Sequence, residues 1–158
     1  MTLTDEVTSS MSCTDPYCNN AQVVIVKKDK ADQYKDVDSI KSLSVAVEKG
    51  SAGEAQAEEN GLNYNSLETQ SAALMEVESE TSDAAIIDSL MAGAMVGEGT
   101  SYEDLTYILP LNDEKYGVGF RQGSDLTQAL NDFFAASYED GTIDKIAEKY
   151  GVQASLIK

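Results

Sequence analysis

Three short apolar runs set the limits on how this chain can fold: residues 22–27 (QVVIVK), 43–47 (LSVAV) and 83–87 (DAAII). Runs of this length between polar segments suit strands that are covered on both faces. Helical patterns separate them. One opens at Ser51, which is followed three residues later by Glu54. This capping-box spacing marks a helix start that runs to about Glu59 and stops near Asn60 and Gly61. Residues 68–78 (ETQSAALMEVE) place Ala73, Leu74 and Val77 on one helical face, and residues 89–96 form a mostly apolar helix closed by Gly97 and Gly99. A short helix at 37–41, a weak strand at 63–66 and strands at 105–109 and 116–120 complete the central stretch. Such alternation predicts an α/β domain with a parallel or mixed sheet flanked by helices.

The last third reads as two helices. Ser124 caps one whose apolar residues, Leu126, Ala129, Leu130, Phe133 and Phe134, form the stripe of an amphipathic helix. Gly141 ends it, and Thr142 opens another with Ile143, Ile146, Ala147 and Tyr150 on one side.

The 158 residues suffice for one domain with a real core, or for one domain and a fragment. A formal charge of −17 makes nucleic acid and anionic membrane surfaces poor partners. The sequence contains no histidine, which excludes a Ser-His-Asp triad and histidine-liganded metal sites. Its two cysteines, Cys13 and Cys18, are too few for a structural zinc site and are expected as free thiols. No calcium-loop spacing is present, and no metal or cofactor is implied. No apolar stretch approaches the roughly 18 residues of a membrane span. The first residues lack the basic start and apolar run of a signal peptide, so any export signal is expected upstream of this sequence.

Ligands of open α/β sheets bind beyond the carboxyl ends of the strands. Two features fall there. The Gly50-Ser51-Ala52-Gly53 turn leads from a strand into a capped helix, where backbone N–H groups and the helix dipole favour an anion. Read alone, it is equally a plain strand-to-helix connection. Asp88 follows the DAAII strand; its carboxylate suits an ammonium group, or it caps the next helix. Taken together, an anion-binding turn and a cation-binding carboxylate suit a zwitterion such as an α-amino acid. Ser51 and Cys18 have no evident general base, so covalent catalysis has little support.

Residues 1–6 (MTLTDE), 14–17 (TDPY) and 20–27 (NAQVVIVK), then 50–54 (GSAGE), 83–88 (DAAIID), 116–121 (YGVGFR) and 140–146 (DGTIDKI), occur in the order of the polar amino-acid-binding proteins of ABC importers. The chain resembles that family, the type II periplasmic binding proteins of solute-binding family 3, over essentially its whole length. The resemblance implies two α/β lobes that close over an amino acid. Residues 1–21 are then a remnant of the first lobe and hinge, 22–111 the second ligand-binding lobe, and 112–158 the return hinge strand and two C-terminal helices of an incomplete first lobe. By the same resemblance Asp88 binds the α-ammonium of the ligand. Gly50, Ser51 and Ala52 hold its α-carboxylate, Glu48 influences side-chain selectivity, and Thr2 and Thr4 approach the ligand from the first lobe. A membrane permease is the implied partner, and the location extracytoplasmic.

The departures from the family pattern are specific. Val7 stands where an arginine clamping the ligand carboxylate follows Asp5 and Glu6, and supplies neither charge nor donor. Cys13 and Cys18 replace aromatic residues. Glu80 replaces a turn glycine, at a cost of about 1 kcal/mol if the position needs a positive φ. Most of the first lobe is missing, so the Leu126–Leu130–Phe133–Phe134 stripe is expected to pack back on the remaining lobe or on a second copy. The leading expectation is a non-catalytic amino-acid-binding component. A remnant or interaction domain without ligand and a dehydratase of the same architecture, with Glu48 as the one nameable acid/base group, are the alternatives.

Overall fold

A computed structural model describes residues 1–157. The chain divides into two compact units, Ala21–Asp113 and a second one formed by Met1–Asn20 with the chain from Glu114 onward.

The Ala21–Asp113 unit is built on a five-stranded sheet, order β5-β4-β6-β3-β7. Its strands are β3 (Gln22–Lys27), β4 (Ser44–Glu48), β5 (Asn63–Leu67), β6 (Ala84–Asp88) and β7 (Leu105–Pro110). The β4 strand runs parallel to both β5 and β6, whereas β3 is antiparallel to β6 and β7. The sheet is therefore mixed. Helices α2 (Val37–Ile40), α3 (Ala52–Glu59), α4 (Gln70–Glu78) and α5 (Ser89–Met95) connect the strands. Alternate residues of the central strands feed two cores. Val23, Ile25, Ala46, Ala85 and Ile87 pack with Ala73, Leu74 and Val77 of α4. Val24, Val26, Val45, Val47 and Ile86 pack with Ile40 and Ala57 on the other side. The apolar runs are continuous because both faces of these strands are buried.

The turn after α4 carries the one non-glycine residue with positive φ among the described residues, Glu80 at 59°. This matches the left-handed position expected at the replaced glycine.

In the second unit, Met1–Asn20 contributes α1 (Asp5–Ser10), β1 (Ser12–Cys13) and β2 (Cys18–Asn20). None of these was legible as an element. Strand β2 pairs antiparallel with β8 (Glu114–Tyr116), and β1 with β9 (Gly119–Phe120). The expected strand over 116–120 is thus broken in two. A Cβ on Gly117 would lie 2.8 Å from Leu3, and one on Gly119 2.9 Å from Met1 and Met11, so the glycines make room for N-terminal side chains. Cys13 and Cys18 are free thiols.

Helices α6 (Leu126–Glu139) and α7 (Thr142–Tyr150) close the chain. The cap of α6 sits one residue later than expected. Its N-cap is Asp125, and the Ser124 hydroxyl accepts from the Leu126 N–H at 3.3 Å. Phe134 packs on Tyr17, ring centres 5.3 Å apart. Leu126 and Phe133 are 56% and 59% exposed, and Ile146 and Tyr150 53% and 69%.

Candidate functional site

Strands β4 and β6 are parallel neighbours, with Val47 opposite Ile86. The chain leaving β4 at Glu48 and the end of β6 at Asp88 therefore emerge side by side at the carboxyl edge of the sheet. This is the edge at which ligands of α/β folds bind.

After β4 the chain turns through Gly50, whose φ of 72° is open to glycine at little cost. Ser51 is the N-cap of α3, and its hydroxyl accepts from the Glu54 N–H at 3.1 Å. The return arm of the expected capping box differs. The Glu54 carboxylate accepts from the Gly50 N–H at 2.6 Å, while the Ser51 N–H donates to the Glu48 carbonyl at 3.2 Å. A second Glu54 oxygen accepts from the Ser66 hydroxyl. These donors, the Ser66 hydroxyl first and the Gly50 N–H second, hold the Glu54 carboxyl below its ordinary range. The Gly50 amide, expected to face a ligand carboxylate, is thus engaged by a carboxylate of the chain itself. Ala52 and Gly53 open the helix, where the dipole favours an anion.

Gly53 is there for space. A Cβ on it would lie 3.1 Å from both the Gln22 Oε1 and the Ile86 carbonyl oxygen, so α3 sits close on β3 and β6.

Asp88 is the N-cap of α5 by position, yet its side chain makes no cap bond. Instead its Oδ1 accepts from the Gln22 Nε2 at 2.9 Å and its Oδ2 from the Gln70 Nε2 at 2.5 Å. The Gln70 Oε1 in turn accepts from the Asp88 backbone N–H at 3.0 Å. Gln22 lies directly opposite Asp88 in the β3–β6 register, and Gln70 is the first residue of α4. Neither glutamine stood out in the sequence. Their shared partner exists only once the strands pair.

Glu48 ends β4, half-buried, at the mouth of the turn. Thr2 and Thr4 lie in the other unit. The Thr2 hydroxyl donates to the buried Glu114 at 3.0 Å, which also accepts from Asn20 at 2.9 Å. The Thr4 hydroxyl caps α1 by accepting from the Val7 N–H at 3.2 Å. Among the described residues no group of histidine, cysteine and acidic side chains is arranged to hold a metal ion, and no helix is long and apolar enough to cross a membrane.

The profile of the bacterial extracellular solute-binding proteins, family 3, matches residues 1–153. The chain belongs to this family. A relative named "Probable histidine-binding protein" from Neisseria gonorrhoeae is 30% identical over 157 residues, covering 95% of this chain and 58% of the relative. Among solved structures, an ancestral amino acid-binding protein, itself a precursor of cyclohexadienyl dehydratase, superposes with a TM-score of 0.83 at 29% identity. An arginine-, lysine-, histidine-binding protein from Geobacillus stearothermophilus does so with 0.81 at 25%. Each of these two superpositions covers 95% of this chain and 66% of the other. The fold is that of the type II periplasmic binding proteins. This family-3 chain spans less than two thirds of the length of these relatives.

Proposed function

We propose that the chain acts in amino-acid uptake, as a non-catalytic solute-binding component of an ABC importer or as part of one. Asp88 holds the α-ammonium of the ligand, and the Ser51–Ala52 turn at the start of α3 receives the α-carboxylate. Glu48 at the mouth of the turn touches the ligand side chain. One observation carries the reading: a carboxylate and a helix N-terminus, the complements of the two charges of a zwitterion, lie at the carboxyl ends of adjacent parallel strands. Family membership and relatives named for histidine or arginine support it. The place of action is extracytoplasmic, and a membrane permease is the partner.

A second copy is the further partner, covering the exposed Leu126, Phe133, Ile146 and Tyr150. The charge of −17 on each copy opposes this association at contact, where separations fall below the screening length of about 8 Å, so apolar burial on this face has to outweigh it. Sedimentation velocity reads this directly, and a strict monomer at high concentration refutes the self-association.

The second reading, a domain that binds no ligand, is favoured by two particulars. Val7 lacks the guanidinium expected at its place, and Glu54 already occupies the Gly50 amide. A thermal-shift and calorimetric screen of the amino acids decides between the readings. Stabilisation by an unchanged ligand, lost in Asp88→Asn, supports binding. No response across the panel supports the ligand-free domain, and turnover of the added compound overturns the non-catalytic assignment.

A further inference from the structure

The Asp88 carboxylate is held at both oxygens by uncharged donors. The Gln22 side chain, 2% exposed, reaches Oδ1, and Gln70 reaches Oδ2 while also accepting from the Asp88 N–H. Gln70 therefore grips residue 88 by backbone and side chain together, which fixes the plane of the carboxylate as well as its position. Amide donors order a carboxylate and favour its charged form without cancelling the charge. A lysine or arginine in either place would order it equally well, but would neutralise the group a cationic ligand must meet.

The other end of Gln22 abuts α3. Its Oε1 is 3.1 Å from where a Cβ on residue 53 would sit, so Gly53 gives the Gln22 side chain the room it needs to reach Asp88. Gln22 thus links the start of the anion-binding helix to the cation-binding carboxylate.

We propose that Gln22 and Gln70 are positioning residues, a neutral amide clamp that locks Asp88 in register and sets the preference of the site for a primary ammonium group. The proposal rests on the reading of Asp88 as the ammonium ligand. Its test separates the two.

Gln70→Leu removes the clamp's donor and acceptor. Gln70→Glu keeps an acceptor for the Asp88 N–H, favours the helix start, and places a second carboxylate beside the first. In the intact chain, the Asp88 carboxyl is titrated by carbon-13 NMR, with Asp88→Asn as the assignment control. L-arginine, L-histidine and Nα-acetyl-L-arginine are titrated calorimetrically. The clamp predicts that the Asp88 midpoint rises in Gln70→Leu and rises further in Gln70→Glu. It also predicts that in Gln70→Leu affinity for the better of the two amino acids falls about tenfold and discrimination against the acetylated compound shrinks. An Asp88 midpoint identical in parent and both variants overturns the clamp, as does parental affinity and discrimination in Gln70→Leu. If neither amino acid binds the parent, the assignment of Asp88 to these ligands is lost, and the midpoint alone decides the clamp.

Discussion

Replacing Glu80 by glycine should stabilise the chain by about 0.5 kcal/mol, and the reason lies in how α4 ends. Ser79 is the C-cap, and Glu80 follows at φ 59°. The Glu80 N–H donates to the Val77 carbonyl at 3.2 Å, and the Thr81 N–H to the Glu76 carbonyl at 2.8 Å. These are the two bonds of a Schellman motif, whose left-handed residue is usually glycine. A side chain in that region costs about 1–2 kcal/mol. Glycine returns about 0.5–1 kcal/mol of this as extra backbone entropy in the unfolded chain. The lost Lys30–Glu80 pair, 3.8 Å apart with the Glu80 side chain 68% exposed, subtracts only about 0.3 kcal/mol.

Glu80→Ala is the control, because it loses the same ion pair and keeps the strain. Urea unfolding should place the glycine variant about 1 kcal/mol above the alanine variant, with an unchanged m value. For a chain of 158 residues that difference moves Tm by about 2–4 °C. A glycine midpoint at or below that of alanine would refute the reasoning, since the strain would then be relieved some other way.

Four further outcomes are expected. Gly53→Ala brings a Cβ within 3.1 Å of the Ile86 carbonyl, and the resulting shift of α3 should outweigh its helix-propensity gain of about 1 kcal/mol; urea unfolding checks this, and a net gain in stability would show that the helix can move freely. The Glu54 carboxyl is held low, so it stabilises the fold above its ordinary value of 4.5, and that contribution fades as pH falls through the lower folded value. Thermal melts taken from about pH 6 to pH 3 should therefore show parent losing more stability than Glu54→Gln. Burial raises the Cys18 thiol and shields it, so iodoacetamide should label half-exposed Cys13 first and Cys18 only on unfolding, as mapped by mass spectrometry. Phe133→Ser should change monomer stability by no more than about 0.5 kcal/mol while weakening any self-association seen by sedimentation, because the ring is 59% exposed.

What the sequence made legible was the chemistry of neighbours along the chain. The runs around Val24 and Ile86 announce strands because both faces of each are buried, so no polar residue interrupts them. Ser51 announces a helix start because its hydroxyl needs only an N–H three residues away. The same local rule failed on the return arm, where Glu54 bonds to Gly50 and not to Ser51, since a positive φ at Gly50 offers a second N–H that spacing alone does not reveal. It also failed at residues 116–120, where the strand breaks to admit Leu3, Met1 and Met11 from more than a hundred residues away.

Asp88 shows why this limit falls hardest on the site. From its neighbours alone it is either a ligand group or the cap of α5, and nothing within a helical turn separates the two. The deciding partners are 66 and 18 residues distant, on β3 and at the head of α4. Cross-strand register selects Gln22, and the packing of α4 on the sheet selects Gln70; neither choice leaves a mark in local periodicity. With both oxygens and the N–H of Asp88 bound by these amides, its carboxylate is drawn away from the α5 amides that a cap would satisfy. The cap reading loses because a cap must point along the helix it starts, and this carboxylate is anchored to the strand and helix beside it.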